Sequence, residues 1–160
     1  MTDFTETISQ PDQPHAIFKA VEAEVTKTIG AKLFTIMELD RKKCVARRSY
    51  TNMPDAYPAT GEKPMREDAW SAQVQEKHQT FVANSIEEIA AVFPDHELIQ
   101  SLGCESCLNL PIVVAGQVIG TLNCLHDAGH YTPERVAAAE KLKQAGVLAL
   151  LVASSVQKGT

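Results

Sequence analysis

The stretch from Cys107 to Leu151, CLNLPIVVAGQVIGTLNCLHDAGHYTPERVAAAEKLKQAGVLALL, constrains this chain more than any other. Two apolar runs, Leu108 to Val114 and Val118 to Leu125, flank Ala115-Gly116, the pattern of a β-hairpin. A short loop follows and ends in Tyr131-Thr132-Pro133-Glu134. Thr132 suits an N-cap, because its hydroxyl can accept a hydrogen bond from an early helix amide. Pro133 has no N–H to leave orphaned at the first helical position, and Glu134 meets the positive helix end. The order expected is strand, tight turn, strand, capped helix.

The rest of the chain supplies elements for one domain. Residues 1–14 read as a flexible tail closed by Pro11 and Pro14. Phe18, Val21, Val25 and Ile29 recur at helical spacing from His15 to Ile29, and Gly30 stops that helix. Leu33 to Leu39 and Cys44 to Tyr50 read as strands around the polar turn Asp40 to Lys43. Pro54, Pro58, Gly61 and Pro64 make residues 51–66 a long loop without periodicity, a length that inside a compact domain marks function or disorder. A helix over Glu67 to Lys77 carries Trp70 and Val74 inward. Ser85-Ile86-Glu87-Glu88 has capping-box spacing and opens a short helix, and a further turn spans Asp95 to Leu102. Residues 155–160 read as a C-terminal tail.

These pieces resemble the GAF domain, the ligand-binding relative of the PAS fold. The resemblance rests on Leu110-Pro111-Ile112, Gly116, Ile119-Gly120-Thr121-Leu122 and Tyr131-Thr132-Pro133-Glu134. Upstream, Lys77 to Asn84 stands where the family has a short strand after its middle helix, with Asn84 in place of the usual Asp. The likeness covers roughly residues 15–154, which places them in a stand-alone GAF domain. It implies an α/β fold of the α+β type, with a central antiparallel sheet of five or six strands. The terminal helices then pack on one face, and a ligand pocket lies under loops and short helices on the other. Loop 51–66 falls beside that pocket, as a lid would.

Which hairpin residues face the pocket depends on the turn, since a one-residue slip reverses every side chain. A two-residue turn needs positive φ at Ala115, which its Cβ disfavours; a three-residue loop, Val114-Ala115-Gly116, with Gly116 left-handed as a bulge, avoids this. In that register Leu108, Leu110, Ile112, Val118, Leu122 and Cys124 share an apolar face. Cys107, Asn109, Pro111, Ile119, Thr121, Asn123 and Leu125 share the other, with Cys107 across from Asn123. Apolar groups mixed with a few amides and a hydroxyl are what a small-molecule pocket requires. Asn109, Thr121 and Asn123 therefore need partners: a ligand, loop backbone or ordered water. Trp70, Phe81 and Phe93 are the aromatic residues placed to close the pocket, or else to serve as plain core.

Cysteine chemistry is the competing reading. Cys104-Glu105-Ser106-Cys107 has C-x-x-C spacing, but no second spaced pair completes a zinc site and no parallel βαβ pattern surrounds it. A redox-responsive Cys104/Cys107 pair stays open, although neighbouring Glu105 works against a low thiolate pKa. The GAF family also contains the free methionine-(R)-sulfoxide reductases. Aligned on Pro111, their attacking cysteine falls at Gln100, their middle-helix cysteine at Trp70, and their substrate-gripping carboxylates at Cys107, Asn123 and Leu125. Nor does the chain carry the Cys-His dipeptide of bilin-binding members. No catalytic residue or metal is implied, and the resemblance leaves any cofactor unknown.

Charge and length bound the partners. The 160 residues carry a net charge of −5, which argues against a nucleic-acid or anionic-membrane surface. The apolar run Ala145 to Ala153 falls far short of the ~20 residues a membrane span needs. Met1 to Gln13 is polar and unlike a leader, so a cytoplasmic location with reduced cysteines is expected. The same Ala145–Ala153 run is apolar on all sides of a helix, which calls for burial on both faces. A homodimer through the terminal helices supplies it, unless helix His15–Ile29 alone covers the outer face. The function expected is a sensory or regulatory module that binds a small cytosolic metabolite.

Overall fold

A computed structural model describes residues 2–158. Helix α1 (Thr5–Ile8) and helix α2 (His15–Thr28) lead into strands β1 (Leu33–Asp40), β2 (Val45–Thr51) and the short β3 (Lys63–Pro64). Then come one α-turn, α3 (Ala69–Ser71), running on as a π-helical turn over Ala72–Glu76, and strand β4 (Phe81–Ala83). Helices α4 (Ile86–Ala90) and α5 (His96–Ser101) precede the long hairpin of β5 (Ser106–Val114) and β6 (Gln117–His126). Helix α6 (Pro133–Ala139), a 3-10 turn at Glu140–Leu142 and helix α7 (Lys143–Lys158) complete the order.

The six strands form one antiparallel sheet in the order β3-β2-β1-β6-β5-β4. Phe34, Ile36, Leu108, Leu110, Leu122 and Cys124 face the terminal helices and join Phe18, Val21, Ala149 and Leu150 in the main core. A second cluster on the opposite face holds Leu33, Tyr57, Ile89, Ile99, Cys107 and Leu125. The helix starts follow their chemistry. Ser85 Oγ accepts from the Glu88 amide, and Thr132 Oγ1 from the Arg135 amide at 3.3 Å. Asn84 donates its side-chain N–H to the Tyr131 carbonyl and accepts from the Tyr131 amide, both at 3.0 Å. An amide can do both; an Asp carboxylate could only accept.

The hairpin turn differs from the sequence expectation. Val114 pairs with Gln117, so only Ala115 and Gly116 turn, at φ 52° and 78°. Two left-handed central residues make the turn whose twist matches the strands, and that match outweighs the penalty on the Ala115 Cβ. The extra residue lies further along, at Ile119, where the register shifts between Ile112 and Val113 on the facing strand. The turn reverses the faces and the bulge reverses them back. Asn109, Thr121 and Asn123 therefore stay on the predicted face, but Cys107 stands opposite Leu125 and Asn109 opposite Asn123. Ile119, expected beside the pocket, instead packs toward the helix-side core.

Other boundaries also moved. Loop 51–66 contains β3 on the sheet edge, where Pro64 costs no interior ladder bond. Residues 5–8, read as tail, form α1, and Phe4 and Ile8 pack against the main core. Helix α7 runs through the expected C-terminal tail to Lys158; residues 159–160 lie outside the described residues. One side of α7 covers the sheet, while Leu151 remains 47 % exposed. Between α1, α2 and α7 lies an open groove of about 1120 Å³, lined in part by Phe4, Ile8, Leu148 and Leu151.

Candidate functional site

Strand register builds the site. Thr35 of β1 pairs with Asn123 of β6, Asn123 with Asn109 of β5, and Asn109 with Phe81 of β4. These four residues form one straight row across the sheet, on the face away from the terminal helices. Asn109 Nδ2 donates to Asn123 Oδ1 at 2.8 Å, and Asn123 Nδ2 donates to Thr35 Oγ1 at 3.2 Å. Trp70 Nε1 donates to Asn109 Oδ1 at 2.9 Å from the roof. The Cys107 thiol approaches the same oxygen at 3.6 Å. Every hydrogen bond along the row is thus donated toward Thr35, and the row ends at its roof in an acceptor.

The roof is residues 66–77 with the α4–α5 segment. Asp68 caps α3 in a reciprocal box with Ser71, and the chain then widens into the π-turn that carries Val74 and Gln75 inward, both buried. Phe93 meets Trp70 edge-on at 6.2 Å between centroids and Phe81 at 6.0 Å. Arg66 lies over both Trp70 and Phe93 and donates to the Val92 carbonyl at 2.7 Å. Tyr57, from the loop after β2, donates to Asp95 Oδ2 at 2.5 Å and stacks beneath Arg48.

One polar group under this roof has no partner. Thr121 pairs with Met37 on one side and Pro111 on the other, and its hydroxyl is fully buried without a hydrogen bond. Buried hydroxyls are ordinarily satisfied, and an orphan costs about 1–3 kcal/mol. Ser106 Oγ is also unpartnered, but strand alternation puts it on the opposite face, at the far end of β5.

All seven residues expected at the pocket, Cys107, Asn109, Thr121, Asn123, Trp70, Phe81 and Phe93, fall in this one assembly. Thr35, Gln75 and Arg66 were not foreseen. Thr35 is the lone hydroxyl in an otherwise apolar start to β1, but only the β1–β6 pairing shows that it completes the row.

The three buried cysteines are held as thiols. Burial pushes Cys107 up to about 12 and raises Cys124 further, with Asn109 partly opposing the shift at Cys107. Burial also raises Cys104, against the pull of nearby Lys32. All four cysteines are free. Gln100, at the position of the reductases' attacking cysteine, is exposed on α5 and has no thiol to offer. Among the described residues no three His, Cys, Asp or Glu side chains gather to hold a metal. Nor is any described helix long and apolar enough to cross a membrane.

The chain is thus an α+β domain whose sheet is covered by helices on one face and by a roof over polar groups on the other. A family model for the GAF domain matches residues 12–150, and the chain belongs to that family. No curated protein matches the sequence. Among solved structures, the GAF domain of a two-component sensor histidine kinase from Bacillus halodurans is similar at a TM-score of 0.70 and 14% identity, covering 92% of this chain and 99% of that one. The GAF domain of a phosphoenolpyruvate-protein phosphotransferase from Coxiella burnetii superposes at 0.67 with 16% identity, over 96% of this chain and 89% of that one. The free methionine-R-sulfoxide reductase of Neisseria meningitidis, solved with its substrate, gives 0.60 at 14% identity, over 98% and 95%. At such identities the likeness is one of fold.

Proposed function

We propose that this domain is a non-catalytic sensory or regulatory module that binds a small molecule on the Thr35–Asn123–Asn109 face. The observation that carries the reading is a buried row of amides with an orphan hydroxyl beside it, on a face that core packing alone would fill with apolar side chains. The sensory roles of similar domains agree with it. Thiol chemistry is disfavoured, because Cys104 and Cys107 are held in the protonated form. The output runs through the opposite face of the same strands, where β1, β5 and β6 carry α2 and α7. We further propose that α7 pairs with a second copy through Leu148 and Leu151, which lie three positions apart on one side of the helix and can serve both partners.

Thermal-shift measurements against a panel of cytosolic metabolites test the binding reading. A ligand at a hundred times its Kd adds about 2.7 kcal/mol, or roughly 5 °C or more in Tm for a domain of this size. The shift should vanish in Asn123→Leu. A ligand that shifts Asn109→Leu and Asn123→Leu as fully as wild type binds elsewhere and refutes the reading. For the dimer, Leu151→Glu should give a monomer in sedimentation velocity where wild type gives a dimer.

A further inference from the structure

The space a ligand would need is filled, and the residue filling it is Trp70. Its side chain is 4 % exposed and its N–H meets the acceptor end of the amide row. Among the described residues that indole bond is the one side-chain hydrogen bond from residues 69–77 to β5 or β6. The other side-chain fastenings of the segment are the Ser71–Asp68 capping box at its start, Gln73 to the Thr80 carbonyl at 3.0 Å and Glu76 to Arg41 at 3.2 Å. Its backbone is a single α-turn followed by a π-turn, and the segment closes on His78 at a left-handed φ of 58°. A π-turn is rare and frequently sits at functional sites.

We propose that Trp70 is a built-in occupant that holds the site shut, and that the ligand is an uncharged planar N–H heterocycle which displaces it. This rests on the binding reading above and adds the chemistry of the ligand and the element that moves. The row dictates the polarity. With Asn109 Nδ2 committed to Asn123 and Asn123 Nδ2 to Thr35, Asn109 Oδ1 is left needing a donor. An occupant with acceptors only would leave that oxygen nothing but the weak Cys107 S–H donor at 3.6 Å in a dry site. The face also dictates the charge. The strand face around Thr35, Asn109, Thr121 and Asn123 offers no counter-ion, and the Arg66 guanidinium on the wall is already paired with Asp68 Oδ2 at 2.7 Å and bonded to the Val92 carbonyl, so an ionised group placed there would be desolvated without compensation.

The walls dictate the shape. Phe93, edge-on, and the Arg66 guanidinium accept a flat π-system, as they now accept the indole, and Phe81 backs Phe93. Thr121 supplies the bias. Trp70 leaves its hydroxyl unpartnered, whereas a heterocycle with a second polar edge can satisfy it. A contact made in only one of two states is what shifts a population.

Trp70 is the only tryptophan of the chain, so its emission reports its own displacement. Hypoxanthine and uracil, which have N–H edges and little absorption at the excitation wavelength, serve as probes, with glutarate as the charged acyclic comparison. A saturable red shift and increased acrylamide quenching with either heterocycle, lost in Asn109→Leu, is the expected result. In Trp70→Phe, which keeps an aromatic ring but drops the N–H, calorimetry should show the heterocycle binding about tenfold tighter, because less of the protein is locked closed. Weaker binding to Trp70→Phe would make the indole a ligand contact and overturn the proposal. Calorimetric binding of a heterocycle with no change in emission would overturn the displacement while leaving the sensory reading intact. An emission shift with glutarate alone would overturn the ligand class and also leave that reading intact. Silence from all three probes would overturn the inference, and the sensory reading would then stand or fall on the thermal-shift panel.

Discussion

The two faces of the strands β1, β6 and β5 are built to different rules. Toward the terminal helices the fit leaves no slack. A Cβ on Gly120 would lie 2.4 Å from the Met37 carbonyl oxygen and 2.7 Å from Leu150 Cδ1, and one on Gly146 of α7 would lie 2.6 Å from Ile112 Cδ1. Toward the roof, the same strands carry amides and a hydroxyl, covered by a turn of π-helix and loops. One face is fixed by shape, the other by a chain of hydrogen bonds that could be exchanged for others. Apolar close packing tolerates little change in volume, whereas a hydrogen-bonded face can trade one partner for another of matching polarity.

Breaking the fixed face should cost most. Gly120→Ala forces a methyl into a backbone oxygen that cannot step aside, and we expect a loss of about 3 kcal/mol or more in urea unfolding. Gly146→Ala meets the end of a flexible Ile112 side chain and gains about 1 kcal/mol of helix propensity, so it should cost clearly less. Equal losses in the two variants would mean that the close approach at Gly120 is not what sets the tightness of this face.

The polar face should answer differently. Asn109→Leu strands both the Trp70 N–H and Asn123 Oδ1, and about 1–3 kcal/mol should be lost. Adding Trp70→Phe removes one of the stranded groups, so the double variant should recover part of that loss in a double-mutant cycle. Strict additivity would show that the indole bond contributes nothing.

How much of this was legible beforehand follows from which forces are local. The capping of α4 and α6 and the periodicity of α2 were readable because each depends on residues within a few positions. The polar face was read correctly by a compensating pair of errors: the left-handed Ala115 and the Ile119 bulge each flip the hairpin, and neither has a sequence signature strong enough to fix it. Thr35 was missed because its role depends on pairing across 88 positions of chain, which no local pattern encodes. The fold of residues 4–8 was missed for a like reason, since Phe4 and Ile8 are held by tertiary contacts and not by propensity.

Thr121 sharpens the comparison at smaller scale. Replacing its hydroxyl by a methyl in Thr121→Val keeps the shape and removes a buried orphan, so stability should rise by about 1 kcal/mol. Ligand-induced Tm shifts should fall in the same variant. A group whose removal stabilises the free protein and weakens binding is held for the bound state. If Thr121→Val lowers stability instead, the hydroxyl is satisfied by water and is ordinary structure.

The smallest expected effect is electrostatic and sits where the helix-covered face ends. His126, opposite Ser106, stacks face to face on His130 at 3.5 Å and accepts the Asp127 amide at Nδ1. His130 Nε2 bonds the Ile29 carbonyl at the end of α2, and Arg135 donates to the His130 carbonyl. Burial and the neighbouring His130 hold His126 below its ordinary pKa, with Lys32 and Arg135 adding to the shift and Asp127 opposing it. The folded chain therefore binds that proton less readily than the unfolded chain does. Stability should be flat above the ordinary histidine range and fall as pH drops through about 6.5 toward the lower folded value, where the loss levels off. His126→Phe keeps a stacking ring without the titration, and its Tm between pH 7 and 5 should vary less than that of wild type. An unchanged pH dependence would place the sensitivity elsewhere and free the end of the helix-covered face from any role in it.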